Sequence, residues 1–220
     1  MGKFYTLILC DGEPPSEFLF RSHFKCCNLC IATDGAAETA LHYGVTPDVA
    51  IGDMDSFNPP PGYPGTIIRN TDQESNDLEK ALIYAIEQGS EEVIVLGATG
   101  RRLDHTLKNL SVFRRFIDDF RSLIFEDDYL KIILLPRVYS GCAEQSGTPI
   151  SLFPLSGKVA GITTIGLKYA LKNEDLENGV RDGSSNETMG TRFEIRHRHG
   201  DLLLFKPQRH ESSKFQNKPK

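Results

Sequence analysis

The chain has 220 residues, 39% apolar and 25% charged, with a formal net charge of −5. This composition excludes wholesale disorder and suits one large domain or two small ones. No apolar run approaches the roughly 18 residues that a membrane helix needs, and an acidic balance argues against a nucleic-acid binder, which needs a basic face to neutralise phosphates, so neither membrane nor nucleic acid is an expected partner.

From the amino terminus, residues 4–10 form a continuous apolar run that ends at Asp11-Gly12. Continuous runs, as opposed to alternating ones, are expected for strands covered on both faces, and residues 29–33, 49–52 and 93–96 have the same texture. Met1-Gly2 with Thr6 fits the N-myristoylation pattern, but the strand-like run that follows argues against lipidation. Asp11-Gly12-Glu13-Pro14 stands where the small residues of a cleavage site would be needed, so no signal peptide is expected. Between the strands, residues 36–43 and 76–88 read as helices, the second with Leu78, Leu82, Ala85 and Ile86 on one stripe. Asn76 followed by Glu79 is a capping-box start for that helix. A further helix is expected from Asp104, with Leu107, Leu110 and Phe113 facing inward. Strand alternating with helix predicts an α/β domain over residues 1–136: a doubly wound, mostly parallel sheet with helices on both faces.

Beyond Pro136 the texture changes. Residues 150–154, 161–165, 191–199 and 201–205 are short β-type runs set between glycines, and Gly200-Asp201 reads as a two-residue hairpin turn. Residues 137–206 are therefore expected to form a small antiparallel β domain. His197 and His199, alternating with arginines, read as surface residues. Residues 207–220 read as a basic, solvated tail without apolar periodicity. Five cysteines, an odd number, suggest reduced thiols and a cytoplasmic protein. Cys27 and Cys30 make a C-x-x-C without a second pair, and strand alternation would point them to opposite faces, which suits core residues better than zinc or a redox pair.

The chemistry gathers where strands stop. Cys10-Asp11-Gly12, Thr33-Asp34-Gly35, Gly52-Asp53-Met54-Asp55-Ser56 and Gly97-Ala98-Thr99-Gly100 each place glycine, acid or both directly after a strand. In an open parallel sheet these segments converge on the crevice where ligands bind. Asp53 and Asp55 offer hard oxygen ligands from one short segment, which favours magnesium. The glycine turns let backbone N–H groups approach phosphate oxygens, and Arg101, Arg102, His105 and Lys108 add positive charge at a helix start. A metal-nucleotide complex follows as the expected ligand. In Asp72-Gln73-Glu74-Ser75-Asn76-Asp77, Glu74 and Ser75 read as a polar loop, while a charge at Asp77 suits the first helical turn whether or not it binds metal.

Asp34-Gly35-Ala36, the run Pro47-Asp48-Val49-Ala50-Ile51-Gly52-Asp53-Met54-Asp55-Ser56, Asp72-Gln73-x-x-Asn76-Asp77 and Gly100-Arg101-Arg102-Leu103-Asp104-His105 together resemble the thiamine pyrophosphokinase family. In the second half, Ser151 to Leu155, Thr163 to Leu171, Ser185-Asn186-Glu187 and Gly200 to Leu203 resemble its β-sandwich domain. The resemblance implies transfer of a pyrophosphoryl group from ATP to the hydroxyl of thiamine, giving thiamine diphosphate and AMP, with Mg2+. It implies Asp53, Asp55 and Asp77 as magnesium ligands, and Asp34, Gly35, Gly97, Thr99, Gly100, Arg102 and His105 along the nucleotide. Gln73, Tyr169, Ser185 and Asn186 would contact thiamine, in a pocket formed between the subunits of a homodimer. Arg102 would supply electrostatics, and either Asp77 or Asp104 would accept the hydroxyl proton. The sequence departs from the family at Arg101 and Ala36, where glycine is usual, and at Asn76, where threonine is usual. With no tryptophan in the chain, stacking on thiamine falls to tyrosine or phenylalanine, with Tyr169 the candidate and a β-domain core residue its alternative reading. A metal-dependent phosphatase or nucleotide-sugar transferase could also use Asp53-x-Asp55, and a non-catalytic thiamine or nucleotide sensor could keep the same fold.

Overall fold

The computed structural model describes residues 5–208. Phe4, the Met1-Gly2 pattern and residues 209–220 of the basic tail lie outside the described residues. The chain forms two compact units, the first running to Asp128 and including Ile132–Leu134, the second comprising Tyr129–Lys131 and the chain from Leu135 onward.

In the first unit the four apolar runs become β1 (Thr6–Leu9), β2 (Leu29–Thr33), β3 (Val49–Gly52) and β5 (Glu92–Leu96), and β4 (Thr66–Arg69) and β6 (Ser122–Glu126) complete the sheet. The helices are α1 (Glu17–Phe24), α2 (Ala36–His42), α3 (Asp77–Glu87) and α4 (Leu103–Phe116). The strand order is β6-β5-β1-β2-β3-β4, every neighbouring pair parallel. Leu7, Ile8 and Leu9 of β1 are fully buried, as a central strand covered on both faces requires. Phe113 of α4 meets Phe125 of β6 with ring centroids 4.5 Å apart, and both rings are buried. Three of these elements were not read from the sequence: β6 is a run of only five residues, β4 is largely exposed, and α1 is only eight residues long. Its start is capped by Ser16, whose hydroxyl accepts from the Leu19 N–H at 3.2 Å.

Two inward assignments fail. Leu107 is 57% exposed, because the buried face of α4 runs through Asn109, Val112, Phe113 and Phe116, and Leu107 lies about 120° around the helix from Phe113. Ile86 is also exposed, at the edge of the α3 arc made by Leu78, Ala81, Leu82 and Ala85. The Cys27–Cys30 geometry differs as well. Cys27 precedes β2, so strand alternation does not apply to it, and a hydrogen bond with the Cys30 thiol lowers its pKa, outweighing the effect of burial. Both thiols remain free, and Cys30 is wholly buried.

The division between the units falls within β7 (Leu130–Leu134). The second unit contains β8 (Val138–Cys142), β9 (Pro149–Pro154), β10 (Lys158–Ile165), β11 (Lys172–Glu177), β12 (Gly183–Glu187), β13 (Arg192–Arg196) and β14 (Leu202–Pro207). They form the antiparallel layers β11-β10-β13-β8 and β12-β9-β14, with Leu152, Val159, Ile162, Leu176, Ile195 and Leu203 fully buried. The hairpin expected at Gly200-Asp201 does not form. β13 pairs with β8 and β10 whereas β14 pairs with β9, so Gly200, at φ 92°, carries the chain from one layer to the other. His197 is not a surface residue but 5% exposed, continuing the inward register of Phe193 and Ile195. Arg137 lies 3.0 Å from its Nδ1, and Nε2 lies 3.3 Å from the Leu135 carbonyl, which fits a neutral ring accepting at Nδ1 and donating at Nε2.

Candidate functional site: an acidic crevice at the switch point

From β1 the chain winds outward through β2, β3 and β4, then returns with β5 to the other side of β1. The reversal opens a gap between the loops after β1 and β5, where ligands bind in doubly wound sheets. A cleft of about 550 Å³ lies there, lined by the turns that follow β1, β2, β3 and β5 and by the first turns of α3 and α4. The loops after β1 and β5 are joined by backbone bonds from Gly12 N to Gly97 O at 2.8 Å and from Glu13 N to Thr99 O at 2.7 Å. This approach demands glycine at residue 12, since a Cβ there would stand 2.3 Å from both carbonyl oxygens.

Asp34, only 3% exposed, organises the acidic side. One carboxylate oxygen accepts from the N–H groups of Asp55 and Ser56, each at 3.0 Å, and the other from Phe57 at 2.8 Å. Burial raises its pKa against these bonds. The carboxylate of one strand-end turn thus folds the loop that carries Asp53 and Asp55. Ser56 donates to Asp55 at 2.8 Å and is the chief cause of that carboxyl lying below its ordinary pKa. Oxygens of Asp34, Asp53 and Asp55 come within 4.8 Å of one another. This all-carboxylate donor set fits a hard divalent cation such as magnesium. The grouping differs from the expected trio, with Asp34 in place of Asp77: among the described residues Asp77 is not part of the cluster, and its carboxylate accepts from Lys80 Nζ at 3.0 Å.

α3 begins with the expected capping box. Asn76 Oδ1 accepts from the Glu79 N–H at 3.0 Å, and Glu79 accepts from the Asn76 N–H at 3.1 Å. Asn76 Nδ2 also donates to Asn109 Oδ1 at 2.8 Å, while Asn109 Nδ2 donates to the Ala98 carbonyl at 2.8 Å. The buried Asn109, midway along α4, therefore ties that helix to the start of α3 and to the turn after β5. Glu79 is 1% exposed and also accepts from Lys108 at 2.8 Å and Arg115 at 2.6 Å.

Of the residues expected to act here, Asp34, Gly35, Asp53, Asp55, Gln73, Asp77, Gly100, Arg102 and His105 line the cleft. Gly97, Thr99 and Asp104 do not: the first two give their carbonyls to the β1 loop, and Asp104 is exposed and paired with Arg102 at 3.1 and 2.5 Å. That pairing holds the Asp104 carboxyl below its ordinary pKa. Asp11, from the first of the strand-end segments, also lines the cleft, as do Lys80 and Asn109, which were not singled out from the sequence. Lys80 had a legible signal, since it follows Asp77 by three residues on a helix; Asn109 had none, because its partners lie 11 and 33 residues away.

The remaining candidates lie in the second unit. Tyr169 is 60% exposed, so it is not a core residue, and Lys168 Nζ sits 5.5 Å from its ring centroid. The buried Asn186 side chain closes a loop, donating to the Tyr169 carbonyl at 2.9 Å and accepting from the N–H groups of Tyr169 at 3.0 Å and Glu187 at 2.9 Å. Ser185 is exposed at φ 58°.

Fold and site together define a doubly wound α/β protein with an acidic, glycine-turned crevice at its switch point and an antiparallel β-sandwich unit. Residues 20–125 match the family described as "Thiamin pyrophosphokinase, catalytic domain", and residues 142–200 match "Thiamin pyrophosphokinase, vitamin B1 binding domain". "Thiamin pyrophosphokinase 1" of Caenorhabditis elegans is 30% identical over 170 residues, which cover 71% of this chain and 70% of that protein. "Thiamine pyrophosphokinase 1" of rice is 35% identical over 156 residues, covering 64% of this chain and 58% of the relative. The crystal structure of thiamine pyrophosphokinase from Bacillus subtilis superposes with a TM-score of 0.80 over 92% of this chain and 98% of that one, at 24% identity, a likeness of fold. The chain belongs to the thiamine pyrophosphokinase family, a family of enzymes.

Proposed function

We propose that the protein transfers a pyrophosphoryl group from ATP to the hydroxyl of thiamine, giving thiamine diphosphate and AMP, with magnesium. The observation that carries this reading is the cluster of Asp34, Asp53 and Asp55 in the switch-point cleft of a chain that belongs to this family.

In the reaction the thiamine hydroxyl oxygen bonds to the β-phosphorus of ATP, the bond from that phosphorus to the α-bridging oxygen breaks, and AMP departs. Magnesium, when bound, supplies charge neutralisation on the phosphate oxygens. Asp53 and Asp55 would hold it, with Asp34 completing the donor set and keeping their loop in shape. Arg102 and His105, at the start of α4, would meet the phosphates, and the turn at Gly100 would let the nucleotide approach the backbone. Of the two carboxylates, Asp77 would accept the hydroxyl proton, since it lines the cleft and Asp104 does not. Gln73 at the cleft, with the exposed Tyr169 and Ser185 in the second unit, would contact thiamine, and Asn186 would shape the Tyr169 loop. A homodimer with the thiamine pocket between subunits is part of this reading. So is a cytoplasmic location, which the five free thiols suit; no helix among the described residues is long and apolar enough to cross a membrane.

The test is incubation of the purified protein with ATP, magnesium and thiamine, following nucleotides and thiamine esters by chromatography. AMP and thiamine diphosphate should appear together and be lost in Asp53→Asn. ADP as product, or phosphate release that does not need thiamine, would refute the reading.

A further inference from the structure

Arg101 occupies a backbone conformation that does not suit it. Its φ is 49°, directly after Gly100 at 81°, so two consecutive residues are left-handed and only the first lacks a Cβ. Residues held in this way persist where the surroundings impose them, and they cluster at ligand clamps.

What the side chain does in the fold does not offset that disadvantage. Arg101 Nη1 donates to Asp11 Oδ1 at 2.6 Å and to the Asp11 carbonyl at 3.3 Å. The two loops so linked are already joined through the N–H groups of Gly12 and Glu13. The ion pair itself is about half open to water, with side chains 45% and 48% exposed, where such pairs contribute little. Both partners line the cleft that also holds Asp34, Asp53 and Asp55. Those carboxylates repel a polyphosphate, and a neighbouring guanidinium would offset the repulsion with a planar fork suited to two phosphate oxygens.

We propose that Arg101 is a phosphate-binding residue for the nucleotide, held at the cleft by Asp11 until a phosphate group replaces that carboxylate as its partner. The inference rests on the pyrophosphoryl-transfer reading and assigns one of its specificity-determining contacts. Asp11 keeps the guanidinium at the cleft in the free protein, and the exchange leaves the charge paired in both states.

The experiment compares wild type, Arg101→Gly and Asp11→Asn, each as the full chain, by calorimetric titration with MgATP and by thermal melting. Glycine suits the left-handed turn, so Arg101→Gly should melt at or above the wild-type temperature while its Kd for MgATP rises about tenfold, the loss of one charge-assisted contact less the broken Asp11 pair. Stability and affinity would then move in opposite directions, which a purely structural arginine would not produce. Asp11→Asn should bind MgATP as tightly as wild type or more tightly. If Arg101→Gly binds like a wild type that turns thiamine over, the inference falls and the pyrophosphoryl-transfer reading stands. Weakening by Asp11→Asn equal to that of Arg101→Gly would show the pair to be structural and would also overturn it. A wild-type protein that binds no MgATP overturns both.

Discussion

Asn76 serves two structures with one carboxamide, so its removal should cost more than an ordinary helix cap. Its oxygen caps α3 through the Glu79 N–H, and its nitrogen donates to Asn109 Oδ1 at 2.8 Å. Truncation to alanine removes the cap, worth about 1 kcal/mol. It also leaves the Asn109 oxygen, on a residue 8% exposed, without that donor, at a further cost of about 1–3 kcal/mol. Asn76→Ala should therefore destabilise the first unit by about 2–4 kcal/mol. Asn76→Asp keeps the capping oxygen but faces Asn109 Oδ1 with another acceptor, so it should cost only the second part, about 1–3 kcal/mol. The chain has no tryptophan, so urea titrations followed by far-UV circular dichroism are the suitable measurement. A double-mutant cycle with Asn109→Ala should return a coupling of about 1 kcal/mol. Asn76→Ala within about 0.5 kcal/mol of wild type, the range of a neutral surface change, would refute the reasoning. So would Asn76→Asp matching the wild type.

Glu79 supplies a pH dependence with a defined sign. Burial alone would raise its pKa, but Lys108, the Asn76 N–H and Arg115 outweigh burial and leave it below the ordinary carboxylate range. Because the folded pKa is depressed, its contribution is present above the unfolded value of about 4.3 and is lost as pH falls through the folded one. The difference in urea midpoint between wild type and Glu79→Gln should therefore shrink as the pH is lowered past about 4, and a constant difference would contradict the assignment. Thiol labelling with an aromatic disulfide in the native protein should reach Cys26, Cys27 and Cys142 but not Cys10 or Cys30, which are buried. For Cys10, burial also pushes the thiol pKa well up, and its rapid native-state labelling would contradict the packing of the β1 end.

Much of the first unit was legible because its signals are local. Continuous apolar runs marked the central strands, and Asn76 with Glu79 marked the start of α3, since a capping box needs only four consecutive residues. β4 and α1 were among the elements not legible: an edge strand needs no buried run, and an eight-residue helix leaves too few turns for its periodicity to stand out. The hairpin at Gly200-Asp201 shows the converse. The turn residues are present, but whether two strands pair across them depends on which other strands compete for their edges, and β8, β9 and β10 did.

For the site, the sequence by itself determined which chemistry was available: acids and glycines placed after strands, and cations at the head of α4. Tertiary structure alone decided which of them meet. Asp34 joined Asp53 and Asp55 because its carboxylate accepts three N–H groups from a loop 21–23 residues away, while Asp77 turned to Lys80 and Asp104 to Arg102. Asp11 and Arg101, 90 residues apart, became partners only because the parallel pairing of β1 with β5 brings their ends together. The physical reason is one of range. Capping, burial periodicity and turn propensity act over a few residues and leave their mark in the chain, whereas the partner of a carboxylate is set by sheet order and loop geometry that no short stretch of sequence contains.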